Sequence, residues 1–268
     1  MTKTPGGTYG ILAAGQSIYD RSATPCCAIG SRLPMGDRVF FYGKVSTIVA
    51  RGELLAPDKS DGGPWAAAVD GSCCAIASPQ LSNKPITAAL AVGDVGVGVT
   101  HASYLDGIVA HQLQDGYLFL NDTGSVQQVY KIKDNTAMAS DIVEILLYDE
   151  IRVVTVDATC SVCVSQNAYM NLAKAVAATD EAMLAGVAMA VGTTDYPFIW
   201  IQTWGPSVIT STAGILGTVH GGTNIVLGTV AGAADLEVTG SILPVIGWGI
   251  TDIASAGDGI PIDLRIRP

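Results

Sequence analysis

The sequence predicts an all-β protein: an extended N-terminal arm followed by two small β-barrel or sandwich-like domains. Three observations predict it. The acidic residues divide into 19 Asp and 5 Glu, and Asp belongs to turns and caps whereas Glu belongs to helices. The 31 Gly supply the positive-φ positions that tight turns need. Val and Thr recur throughout, and both suit a pleated, half-buried surface.

The arm is expected over residues 1–38. Gly6, Gly7, Gly15, Gly30 and Gly36, with Pro5, Pro25 and Pro34, leave no periodic apolar face, so the segment is expected to order on whatever it lies against. The first β domain is expected over 39–164. Its opening, 39–55, admits two readings: Phe41, Val45 and Val49 fit a short helix, whereas Val39 to Tyr42 fit a strand. Residues 57–85 carry Pro57, Pro64, Pro79 and Pro85 with Asp58, Asp61 and Asp70, a long loop.

From Ile86 the pattern becomes regular. Val95, Val97 and Val99 alternate with Gly96, Gly98 and Thr100, a strand with one side nearly bare. Tyr117 to Leu120 sits between Asp115-Gly116 and Asn121-Asp122-Thr123-Gly124, with Val126 to Ile132 as its hairpin partner. Asp141 to Tyr148 and Ile151 to Val156 read as two strands around Asp149-Glu150, and Thr159 to Val164 as the last strand of this domain.

The second β domain is expected over 165–268. Residues 166–180 have the most helical composition in the chain. Short strands are then expected at Val187–Val191, Phe198–Thr203, Val208–Ser211, Ile215–Val219, Ile225–Val230 and Ile242–Ile250. Their spacing near ten residues with Gly turns is that of a β domain.

Composition also limits function. Charged residues are 14% of the chain, against roughly 25% in soluble domains; so few charges predict a surface covered by partners or by copies of the chain. The 14 Lys+Arg against 24 Asp+Glu, a net charge of −10, give no basic face for nucleic acid and no polybasic segment for anionic lipid. Residues 1–7 lack a basic stretch leading into an apolar one, so no signal peptide is expected. Tyr196 to Ala234 contains no Asp, Glu, Lys or Arg, yet its Gly, Ser, Thr, Asn and Pro content argues against a membrane span. That segment is instead the expected site of the largest buried patch, within an oligomer or against a partner, with Thr210 and Thr229 as positions where Lys would disturb it.

No catalytic or metal constellation is expected. His101, His111 and His220 lack the i, i+2 or i, i+4 spacing of ligand pairs. Cys26-Cys27, Cys73-Cys74 and the C-x-x-C of Cys160 and Cys163 offer one well-spaced pair where zinc wants two, and vicinal residues on a strand point to opposite faces. They read as buried thiols. Gly93, Gly96 and Gly98 depart from a dinucleotide-binding run, Walker A is absent, and the sequon Asn121-Asp122-Thr123 is explained as a turn. Asp149 and Glu150 point apart on a strand and read as turn solvation rather than an acid/base pair. Phe198, Trp200 and Trp204, with Tyr196, form an aromatic run at alternating positions that reads as core or interface.

Three stretches carry a resemblance: Asp37-Arg38-Val39-Phe40-Phe41-Tyr42-Gly43; Gly116 to Asp122 followed by Gln128 to Ile132; and Ala185 to Ala188 leading to Phe198–Pro206. In this order they resemble virion structural proteins of tailed bacteriophages, especially environmental and cyanobacterial phages. The resemblance covers residues 37–250, and its motifs are structural. Phe198 follows a Pro where the pattern often has a tyrosine or glycine turn, and the cysteine pairs are not a family feature. The resemblance implies a capsid decoration (cement) protein on the virion surface. It would bind the major capsid protein as a homo-oligomer, a trimer at threefold lattice positions, without cofactor, enzymatic activity, nucleic acid or membrane. The alternatives are a tail, collar or fibre-base protein and, in another class, a carbohydrate-binding module or hydrolase using Trp200 and Trp204.

Overall fold

A computed structural model of the chain describes residues 12, 16–58, 84–100, 108–122, 127–153, 160–176, 184–211, 222–237, 245–251 and 259–266. The described residues contain no helix; they form strands in two curled sheets, as the sequence predicts. The strands are β1 (Arg21–Ser22), β2 (Arg32–Met35), β3 (Arg38–Lys44), β4 (Leu54–Pro57), β5 (Lys84–Pro85), β6 (Gly96–Thr100), β7 (Tyr117–Asp122), β8 (Gln127–Asn135), β9 (Ile142–Leu147) and β10 (Cys160–Ser165). They continue with β11 (Leu172–Lys174), β12 (Gly186–Ala188), β13 (Phe198–Thr210), β14 (Asn224–Leu227), β15 (Ala234–Leu236), β16 (Val245–Gly249) and β17 (Gly259–Arg265).

The described residues divide into two compact units. An inserted unit lies within Asp58–Ala168, and a framework unit combines Gly6–Pro57 with Tyr169–Pro268. This differs from the expected boundaries. Residues 39–57 join the second domain rather than the first, because β3 pairs antiparallel with β13 (Phe41 opposite Ile201) and β4 pairs with β11 and β12. The described part of the expected arm is woven into the same sheet: β1 pairs with β13 and β2 with β3.

The inserted unit is a six-stranded sheet of order β5-β10-β7-β8-β9-β6. The hairpin of β7 and β8 forms as its turn residues predict, with Phe119 opposite Val129. β9 alternates strictly, with Val143, Ile145 and Leu147 buried and Glu144 and Leu146 exposed. Leu118, Leu120, Ile132, Val97, Val99 and Val162 close the core from the neighbouring strands. The bare side of β6 is partly covered, since a side chain at Gly98 would strike Thr87 and Glu144. Of the strand expected at Ile151–Val156, residues 151–153 are described and are not strand; the remainder lies outside the described residues.

The framework unit is an eleven-stranded sheet whose main path runs β11-β4-β12-β13-β17-β16-β14-β15. Its core packs Leu54, Ile209, Ile225, Leu227, Ile246, Ile260, Ile262 and Leu264. The helical composition at 166–180 does not yield a helix where it is described. Leu172–Lys174 is β11, whose fully buried Leu172 pairs with β4, so tertiary burial overrides local propensity. Residues 177–180 and the strand expected at Ile215–Val219 lie outside the described residues. The expected strands at Phe198–Thr203 and Val208–Ser211 are one strand, β13. Its register shifts between Gln202 and Trp204, where buried Gln202 donates through Nε2 to the carbonyls of Trp204, Gly205 and Pro206. The two amide hydrogens of Gln202 are thus shared among three backbone carbonyls at the bulge. Gly205, at φ 84°, lets the chain pass, because a Cβ there would collide with the Asp37 carbonyl.

Candidate functional site

β13 has two halves. Over Phe198–Thr203 every residue is buried. Trp200 is 1% exposed and packs against Tyr42 of β3, with ring centroids 5.1 Å apart, and Phe198 stacks on the same tyrosine at 6.1 Å. These two members of the expected interface cluster belong to the core and offer no outward surface. Beyond the bulge the strand alternates, with Trp204, Pro206, Val208 and Thr210 on one side and the fully buried Ile209 on the other.

β17 continues this alternation. Ile260, Ile262 and Leu264 are fully buried, whereas Pro261, Asp263 and Arg265 are half-buried on the opposite side. Register places Trp204 opposite Arg265, Pro206 opposite Asp263 and Val208 opposite Pro261. On the other edge of β17, Trp248 of β16 lies opposite Asp263, and Ile250 donates its backbone N–H to the Pro261 carbonyl at 2.9 Å. The result is an outer face with Val208 57%, Ile250 49% and Trp248 41% exposed.

The charges on this face cancel. The Arg265 guanidinium donates through Nε to Asp263 Oδ2 at 3.1 Å and through Nη2 to the same oxygen. It lies 4.1 Å from the Trp204 ring centroid and 5.4 Å from that of Trp248. A paired guanidinium between two indoles is cheaper to desolvate than a lone charge, and Trp and Arg are the residue types that anchor protein interfaces. Of the remaining expected interface positions, Trp204 and Thr210 lie on this face, and Thr229 is exposed between β14 and β15.

No element is expected over 259–265, and Trp248 and Arg265 are not anticipated as interface residues; Val208 falls within the charge-free run expected to be buried but is not singled out. The signal is present nonetheless: Ile260, Ile262 and Leu264 recur at period two between Pro261, Asp263 and Arg265.

The other expected positions do not converge on one site. His111 is exposed, with Nδ1 2.7 Å from Asp134 Oδ1. Asp149 and Glu150 are exposed. Cys160 is buried, Cys27 and Cys163 are half-buried and Cys26 is exposed, so the buried-thiol expectation fits Cys160 and not Cys26. Cys73, Cys74, His101 and His220 lie outside the described residues. Among the described residues, no group of three or more His, Cys, Asp or Glu side chains is placed to hold a metal ion, and no helix is long and apolar enough to cross a membrane. No family model matches the chain, and no curated protein or solved structure matches it.

Proposed function

We propose that this chain is a structural virion protein that decorates and stabilises a phage capsid. In this role it bridges neighbouring major capsid subunits as a homo-oligomer, with a trimer matching the threefold positions of the lattice. The observation that carries the reading is the charge-compensated outer face of β13, β17 and β16, with Val208, Trp248 and Ile250 exposed and Trp204 half-buried beside them. Contiguous apolar surface on a sheet face marks an interaction site. The resemblance to phage virion proteins supplies the partner. Its first and third stretches pair as β3 with β13 and its second is the hairpin of β7 and β8, so its motifs build scaffold rather than chemistry. Modest contacts repeated over a lattice hold by avidity, and binding to the closed shell alone shifts its equilibrium against opening.

The test compares virions with and without the chain. The cement reading expects a copy number comparable to that of the major capsid protein, and greater DNA retention after heating or osmotic shock when the chain is present. A copy number far below the capsid protein's supports a tail, collar or fibre-base component instead. Carbohydrate binding is favoured by a single feature, the Trp204 and Trp248 pair, but Arg265 already occupies a face of each ring. Specific binding on a glycan array that Trp248→Ala abolishes would replace the cement reading.

A further inference from the structure

The framework unit carries a second feature, built from different residues. A wide, open depression of about 830 Å³ is lined by Tyr19, Asp20, Arg21, Arg51, Ala190 and Val191, among others. In a chain with 14 basic and 24 acidic residues, two guanidiniums line one depression, and among the described residues neither has a carboxylate partner. Each has one backbone hydrogen bond and one ring contact. Arg51 donates through Nε to the Met189 carbonyl at 3.0 Å and lies 4.8 Å from the Tyr19 ring centroid. Arg21 donates through Nη1 to the Val191 carbonyl at 3.5 Å and lies 4.9 Å from the Tyr196 ring centroid. The two anchoring carbonyls are two residues apart on the same segment.

A guanidinium has five N–H donors in a fixed fork, and the anchors use one from each. Stacking on tyrosine and bonding to backbone remove rotamer freedom that binding would otherwise have to freeze. Asp20 is the carboxylate among the lining residues. Its Oδ2 accepts the Ser17 N–H at 2.7 Å, closing the turn that presents Tyr19. Among the described residues, the depression therefore holds two cations against one anion. Its volume is that of several side chains, within the range of ligand sites, and Tyr19, Tyr196 and Val191 around it are 44–45% exposed. We propose that it binds an acidic peptide segment of a partner protein, with carboxylates on the Arg21 and Arg51 forks and neighbouring apolar groups against the two tyrosines and Val191. The proposal stands apart from the capsid reading, because it concerns the isolated chain and other residues.

The test is calorimetric titration of the full chain, at low ionic strength and neutral pH, with a capped hexapeptide of alternating aspartate and glutamate and, separately, with inorganic phosphate. The expected result is saturable peptide binding, weakened about tenfold or more by Arg21→Gln and by Arg51→Gln. Arg51→Lys should lose less than Arg51→Gln, because it keeps the charge without the fork, and about 0.3 M NaCl should weaken the wild-type isotherm. The variants are read only where their melting temperature matches wild type. Wild-type chain that does not bind the peptide overturns the proposal whatever the variants do. So does binding that both Gln variants retain, or phosphate that displaces the peptide with equal affinity, which marks a simple ion site. An oligomer that Arg21→Gln dissociates would assign the depression to a second copy and also overturn it.

Discussion

The inserted unit and the framework unit reach similar sheets by different routes. In the inserted unit β7, β8 and β9 pair with their neighbours in sequence, and β10 and β6 extend the sheet at either side. In the framework unit the central strand β13 pairs with β3, from the far end of the chain, and with β17, from the other end. Their polar anchors differ accordingly. Buried Asn135 accepts the Leu113 N–H at 2.8 Å and donates to the carbonyls of Val109 (3.0 Å) and Thr136 (2.8 Å), pinning a turn to its neighbouring strand. Buried Gln202 instead stitches a bulge within one long strand. The first unit is built around a run of strands that pair with their neighbours in sequence; the second holds distant segments together through one strand, and a defect in that strand should spread through the unit.

Trp200→Ala tests that difference most severely. Removing a fully buried indole costs about 3–5 kcal/mol. The expected outcome is loss of hydrogen-exchange protection across β3, β13 and β17 while Leu118 and Ile132 of the inserted unit stay protected. Simultaneous loss in both units would mean that they fold as one. Asn135→Ala is the reciprocal change. It strands a buried N–H and two carbonyls, at about 1–3 kcal/mol, and should weaken protection in the inserted unit alone. Gly205→Ala places a side chain at φ 84°, a cost on the order of 1–3 kcal/mol. It should lower the denaturation midpoint of the framework unit and leave the other unchanged.

Alkaline pH gives the smallest separation. Burial first, then the nearby Asp115 carboxylate, pushes Tyr148 of the inserted unit up to about 12. Burial, then hydrogen bonding to Cys26, raises Tyr42 of the framework unit further. A tyrosine raised in the folded state stabilises below its unfolded value near 10 and loses that contribution as pH climbs toward its folded value. Melting temperature should therefore fall above about pH 10 in both units. In the inserted unit the Tyr148 part should level off near pH 12, and Tyr148→Phe should remove it.

The two routes also explain what could be read from the chain. The hairpin of β7 and β8 and the alternation of β9 were legible because turn chemistry and period-two burial are local. The fate of 39–57 was not, since nothing near Phe41 announces Ile201. The charge-free run from Tyr196 hid two causes in one strand: Phe198–Thr203 lacks charge because both its faces are buried, whereas Trp204–Thr210 lacks it on an open face. For that reason the sequence alone groups Phe198 and Trp200 with Trp204 and Thr210, and leaves out Trp248 and Arg265, which only register brings in. Low helical content was legible from Asp and Gly; the burial of Leu172 that turns a helical composition into β11 was not.

Each unit offers an exposed valine on an outer sheet face, Val208 on the framework unit at 57% and Val129 on the inserted unit at 60%. A lysine at either position should change folding stability by no more than about 0.5 kcal/mol. The contact surface is therefore read from the occupancy of Val208→Lys and Val129→Lys chains on virions lacking the wild-type protein, quantified against the major capsid protein. Val208→Lys should lose occupancy and Val129→Lys should retain it. Full occupancy by Val208→Lys, or loss confined to Val129→Lys, would contradict the assignment of the framework face as the contact surface.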